Sequence, residues 1–238
     1  MRILITGAKG FVGKNLISEL RNQGYHDLLE FDVDTNKSLL DEFARQCDFV
    51  FHLAGVNRPE NQEEFMLGNF GFTSELLKKL QNYNNKAPIL ISSSIQAELN
   101  NPYGQSKKAG EYLMFDYGIA NNVPIFVYRL PNVFGKWCRP NYNSAVATFC
   151  NNIANNLPIQ VNDSSVLMKL VYIDDVVNSF IDKLKNITNK NTIKDNFEPI
   201  TPVHEITLGK IVDLLHSFKE GRTTLQVPDI SDPFTKKL

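Results

Sequence analysis

The sequence predicts a doubly wound parallel α/β sheet with a small C-terminal lobe, and three observations carry that expectation. Short apolar runs alternate with helical patterns, a glycine loop joins the first run to the first helix, and polar residues close the later runs. Unbroken apolar runs suit strands buried on both faces, as in a parallel sheet covered by crossover helices. A chain of 238 residues can hold such a core.

The first strand is Arg2-Ile3-Leu4-Ile5-Thr6, and a helical pattern follows over 12–23. Between them, Gly7, Gly10 and Gly13 recur at intervals of three, with Lys9, Phe11 and Val12 interleaved. Strand, spaced glycines and helix together form a dinucleotide cradle. Glycine permits the tight turn and close backbone approach, while the helix N-terminus offers unpaired N–H groups to a pyrophosphate.

Further strands are expected at 27–32, 48–53, 88–93 and 124–129, with helices near 37–46, 60–82, 104–121 and 142–156. Leu113, Met114 and Tyr117 are core candidates on the helix near 104–121. Beyond about 157 the regularity weakens: 157–161 and 170–173 resemble short strands, and Asp174-Asp175-Val176-Val177 opens another helix. The expected division is a Rossmann domain over 1–156, with a return of 170–185 to it, and a substrate-binding lobe over 157–238.

Composition excludes several classes. Twenty-five basic and 26 acidic residues give a formal charge of -1 and no basic stripe for a nucleic acid. No stretch approaches the roughly 20 apolar residues that span a bilayer, and the nucleotide strand begins too early to leave room for a signal peptide. Cys47, Cys138 and Cys150 lack paired spacing, which suits a reduced, cytoplasmic setting. His26, His52, His204 and His216 do not cluster, so no metal site is expected.

The chemistry converges on Tyr103 and Lys107. Four apart on a helix, they share one face. A phenol has an ordinary pKa of about 10, so one that passes a proton near neutrality needs a nearby cation. In an open parallel sheet ligands lie at the carboxyl ends of strands. There stand Ser92, Ser93 and Ser94, of which Ser94 is the best candidate to polarise a carbonyl beside Tyr103. Leu53, Ala54 and Gly55 leave room for a cofactor, and Asn69 is a candidate brace. Asp32, 25 residues after Gly7, suits a ribose 2′-hydroxyl and hence NAD, whereas Lys9 suits a 2′-phosphate and hence NADPH.

These motifs, with Arg129-Leu130-Pro131-Asn132-Val133-Phe134-Gly135 and Val171-Tyr172-Ile173-Asp174-Asp175-Val176, resemble the extended short-chain dehydrogenase/reductases, which act largely on nucleotide-activated sugars. More narrowly, the chain is similar to reductase domains that precede a cupin epimerase domain in bifunctional capsular-polysaccharide enzymes making the UDP-N-acetyl-L-fucosamine precursor. By that resemblance Tyr103 is the general acid, Ser94 its hydrogen-bonding partner, and Lys107 holds the nicotinamide ribose and lowers the Tyr103 pKa. Leu130 and Val133 lie beside the nicotinamide, Ser93, Ser94 and Asn132 face the substrate, and NADPH is preferred. The resemblance also implies a cupin domain beyond this chain; helix pairing into a homodimer is a common mode in the family, and 60–82 with 104–121 could serve it, although both faces could equally be core.

Two departures matter. Only eight residues separate Ser94 from Tyr103, and Met168 stands where many relatives place a diphosphate-binding arginine, leaving Arg139 or Lys169 to supply charge. Both cations also read as solvated surface residues. The reaction expected is reduction of a UDP-linked 4-keto sugar. A 4-epimerase holding NAD and a non-catalytic NAD(P) sensor are the alternatives; Ile95-Gln96 after Ser94 argues against a dehydratase.

Overall fold

The computed structural model describes all residues except 188–196, and it divides into two compact units. The first comprises Met1–Leu130 and Val177–Ile200. Five strands, β1 (Ile3–Thr6), β2 (Leu28–Phe31), β3 (Phe49–His52), β4 (Ile89–Ser94) and β5 (Ile125–Leu130), form one sheet in the order β2-β1-β3-β4-β5. Every pairing in it is parallel. Strand order reverses between β1 and β3, so their carboxyl ends open a ligand crevice.

The connecting helices are α1 (Phe11–Asn22), α2 (Ser38–Gln46), α3 (Glu63–Phe65), α4 (Phe72–Asn82) and α5 (Pro102–Asn121). The pleat sorts the apolar residues of β3. Val50 joins Leu40, Leu76, Leu80, Met114 and Phe115 in a core with α2, α4 and α5. Phe49 and Phe51 turn to the other face, where Phe51 and Tyr128 meet the ring of Phe180 at 6.2 and 4.9 Å.

The helix expected over 60–82 runs from Glu63 to Asn82 but changes its pitch on the way. A π-helical turn, Met66–Gly71, separates α3 from α4. Its buried Asn69 side chain accepts from the Val56 N–H and donates to the Val56 carbonyl, both at 2.9 Å. A widened turn lets a helix residue serve the neighbouring loop instead of its own ladder. In α5, by contrast, the local signals agree: Asn101 Oδ1 caps Gly104 N–H at 2.7 Å and Pro102 occupies the first turn.

The second unit, Pro131–Val176 with Thr201–Leu238, begins earlier than the expected boundary at 156. It contains β6 (Asn132–Phe134), α6 (Ala145–Ala154), β7 (Leu167–Tyr172), β8 (His204–Thr207), α8 (Leu208–Thr224) and α9 (Pro233–Lys237). Helix α6 belongs here because Val146, Phe149 and Ile153 pack with Phe134, Leu170, Ile211, Leu215 and Phe234. The expected strand 157–161 is irregular, and the strand placed at 170–173 starts at Leu167. From this unit α7 (Ile173–Lys185) runs on into the first, so the return occurs at Val177 rather than 170. No described helix is long and apolar enough to cross a membrane.

Candidate active site

The glycine loop is closed by backbone contacts that only glycine allows. Gly7 adopts a φ of +70°, and a Cβ there would lie 2.7 Å from the Ala54 nitrogen. At Gly13 a Cβ would meet the Gly7 carbonyl oxygen at 2.2 Å. Helix α1 opens at Gly10 without a capping side chain or a first-turn carboxylate, leaving the amides of Phe11 and Val12 directed as an anion site requires. These features fit the pyrophosphate of a dinucleotide.

At the end of β2, Asp32 accepts from the Lys9 N–H at 2.7 Å and from the Val33 N–H at 2.8 Å. Lys9 forms an exposed ion pair with Asp34, which holds the Lys9 ammonium above its ordinary pKa. The two opposed cofactor signals thus sit on adjacent loops joined by a hydrogen bond, with Lys9 already beside a carboxylate.

A chain of buried hydrogen bonds braces the loop. Thr73 gives its hydroxyl proton to the Asn69 carbonyl at 2.6 Å, so His52 Nε2 donates to Thr73 Oγ1 at 2.9 Å. That leaves Nδ1 to accept from Thr6 Oγ1 at 2.8 Å, while the Ala54 N–H donates to the same Thr6 oxygen at 3.3 Å. Burial, and secondarily the Lys107 ammonium, depress the His52 pKa from 6.5 to about 3. A depressed folded pKa means that the unfolded chain takes up a proton that the folded chain refuses between those values. This stability is complete above about pH 6.5 and is lost on descent towards pH 3, at roughly 1 kcal/mol per pH unit. Urea unfolding of the wild type should weaken across that window, and the slope should flatten in His52→Gln; equal slopes would refute the assignment.

Three residues of α5 engage three successive residues of β4. The Ser94 hydroxyl lies beside the Tyr103 phenol, Lys107 Nζ donates to the Ser92 carbonyl at 2.8 Å, and Ser93 Oγ donates to Glu111 Oε1 at 2.5 Å. Lys107 and Asn69 converge on Gly55, where a Cβ would stand 3.5 Å from Lys107 Nζ and 2.8 Å from Asn69 Oδ1. Asn69 also donates to Ser106 Oγ at 2.9 Å. The short Ser94–Tyr103 link is spanned by a 3-10 turn, Ile95–Glu98, whose Gln96 N–H is capped by Ser94.

Two expectations are corrected. Ser93 does not face a substrate: alternation along β4 turns it inward, and it is 5% exposed against the Glu111 carboxylate. Nor is the Tyr103 phenol made more acidic. Burial pushes its pKa up, and the only opposing influence is the Ser94 hydroxyl. Burial instead lowers Lys107 to about 8, with Glu111 acting the other way.

Ser92, Ser94, Tyr103, Lys107, Gly7, Lys9, Gly10, Gly13, Asp32, Leu53, Ala54 and Gly55 all belong to the first unit, as does Leu130, buried at the end of β5. Val133, Asn132, Arg139 and Lys169 belong to the second. There Asn132 Nδ2 donates to the Lys169 carbonyl at 3.4 Å, Lys169 pairs with Glu205 at 3.4 Å, and Arg139 stacks on Tyr142 at 5.6 Å. Sequence reasoning missed Thr6, Thr73, Glu111 and Arg129; only Glu111, one turn beyond Lys107, carried a local signal.

The chain is 43% identical over its full length to UDP-2-acetamido-2,6-beta-L-arabino-hexul-4-ose reductase of Pseudomonas aeruginosa, of which it covers 63%. It superimposes on the crystal structure of the capsular polysaccharide assembling protein CapF from Staphylococcus aureus with a TM-score of 0.89 and 44% identity, covering all of this chain and 63% of that one. It therefore spans less than two thirds of both relatives. A UDP-glucuronic acid 4-epimerase from Bacillus cereus in complex with NAD shares the fold at 20% identity, with a TM-score of 0.80 over 92% of this chain and 85% of that one. The model for the NAD dependent epimerase/dehydratase family matches residues 3–194, and the chain belongs to that family.

Proposed function

We propose that this chain is an NADPH-dependent reductase of the 4-keto group of a UDP-linked deoxy-amino sugar, acting in capsular polysaccharide precursor synthesis. The observation that carries the reading is the Ser94–Tyr103–Lys107 set on the unit that holds the glycine loop. Its substrate class rests on the 43% identity to the Pseudomonas reductase.

When bound, a nicotinamide dinucleotide supplies the hydride. Tyr103 donates its phenolic proton to the carbonyl oxygen as negative charge develops there. Its raised pKa favours this direction, because a general acid must arrive protonated. Ser94 donates a second hydrogen bond to the same oxygen, as an oxyanion-hole donor does. Lys107, held by the Ser92 carbonyl, places a positive charge beside the developing phenolate.

NADPH is favoured by Lys9. Its partner Asp34 is exposed, as Lys9 is, and an exposed ion pair yields readily to a phosphate. Asp32 already accepts from two loop amides, which weakens its claim on a ribose hydroxyl.

The test is to mix the protein with UDP-4-keto sugars and NADPH or NADH and follow the loss of reduced-nicotinamide absorbance. Stoichiometric consumption is expected; interconversion without net consumption would assign the epimerase reading instead. Lys9→Ala should weaken NADPH about tenfold and leave NADH within about twofold. Equal effects on both cofactors would remove Lys9 from phosphate recognition.

A further inference from the structure

Beneath the Tyr103/Lys107 pair lies a buried ion pair that the proposed reaction does not use. Glu111 is 1% exposed, an unusual place for a carboxylate. It accepts from Arg129 Nε at 3.0 Å, from Arg129 Nη2 at 2.7 Å and from Ser93 Oγ at 2.5 Å. Ser93 and Arg129 are register partners on β4 and β5, so the carboxylate clamps two strands at their carboxyl ends. Arg129 is itself fixed by Glu98 at 3.0 Å and by the Phe197 ring at 3.8 Å.

The spacing makes this more than a core ion pair. Tyr103, Lys107 and Glu111 recur every four residues, a single stripe on α5. Each touches a different residue of Ser92–Ser94, so the stripe and the strand end meet at three successive points. Burying an ion pair is a poor device for stability, since apolar residues of similar volume often do as well or better. Its geometric return is strand register and a fixed negative charge one helical turn from Lys107.

We infer that Glu111 is a positioning residue for the Tyr103/Lys107 pair, its buried carboxylate holding the Ser92–Ser94 strand end and keeping the Lys107 ammonium charged and in place. The inference rests on the reductase reading proposed above. The charged or titratable groups around Lys107 are Tyr103 and Glu111 on α5, His52 on β3 and, through Glu111, Arg129 on β5. His52 is neutral at working pH, and Arg129 stays charged. Glu111 is therefore the one group of these whose charge opposes the effect of burial on Lys107.

The test is the pH profile of kcat/KM for keto-sugar reduction in the wild type, Glu111→Gln and Glu111→Asp. Gln keeps the arm and an acceptor for Ser93 but removes the charge; Asp keeps the charge. In Glu111→Gln the alkaline limb should move down by about 0.5–1 pH unit, with kcat near pH 8 falling about two- to fivefold and the cofactor KM within about twofold. Glu111→Asp should keep the wild-type limb. An unshifted limb in Glu111→Gln, or an equal shift in both variants, overturns the inference. If Glu111→Gln does not fold, Ser93→Ala serves: kcat should fall severalfold with the thermal midpoint nearly unchanged, and an undiminished kcat overturns the positioning role. A wild type that leaves the keto-sugar unreduced defeats the reductase reading instead, so the two failures are distinguishable.

Discussion

Replacing Tyr103 with Phe is expected to lower kcat by about 10²- to 10⁴-fold, the range that a positioned general acid contributes. The change removes one oxygen and leaves the ring, which packs 5.6 Å from Phe65, so the local fold should persist. Nucleotide affinity should stay within about threefold of the wild type, because the glycine loop and Lys107 are untouched. Single-turnover mixing with NADPH and a UDP-4-keto sugar, alongside a fluorescence titration of the cofactor, separates the two quantities. Retained turnover would show that some other group delivers the proton. A parallel loss of turnover and cofactor affinity would make Tyr103 a binding residue. The phenol is held protonated by burial, so its own ionisation should not limit the rate near neutrality. The alkaline limb should instead follow Lys107, whose pKa is about 8.

The second large effect is expected for Gly13→Ala. Gly13 is buried, and the new methyl would stand 2.2 Å from the Gly7 carbonyl oxygen and 2.8 Å from that of Ala8. Both obstacles are backbone, so no side chain can swing aside; the loop itself must move. Overpacking of this kind costs about 1–3 kcal/mol, and the displaced loop also carries the amides aimed at the pyrophosphate. Dinucleotide affinity should fall at least about tenfold, with a lower urea midpoint. Gly71→Ala is the control: its Cβ meets nothing closer than 3.8 Å and its backbone is already helical, so the midpoint should change little or rise. Wild-type affinity in Gly13→Ala would mean that the loop is not the nucleotide cradle.

Where the structural signal is local, the chain was readable. The five strands of the first sheet lie within a residue or so of their expected positions, because continuous apolar runs and short connections suit buried parallel strands. Helix α5 was legible from its Asn101-Pro102 start, and Tyr103 with Lys107 from their spacing. The second unit was read less well. Strands β6 and β8 are short and pair with β7, β8 antiparallel to it, so no periodicity announces them. The boundary was misplaced because the partners of α6 come from both Pro131–Val176 and Thr201–Leu238.

By itself the sequence determined the first sheet, the glycine loop and the Tyr103–Lys107 spacing, since each is written within a few neighbouring residues. Only the tertiary structure decided which serine of Ser92–Ser94 meets Tyr103, because the phase of the pleat against α5 is a packing outcome. It likewise decided that His52 is neutral, that burial keeps Tyr103 protonated and that Glu111 is clamped by Arg129. Burial and charge act across space, as between Glu111 and Arg129, 18 apart in the chain, and between His52 and Thr73, 21 apart, and a reading along the chain has no access to those distances.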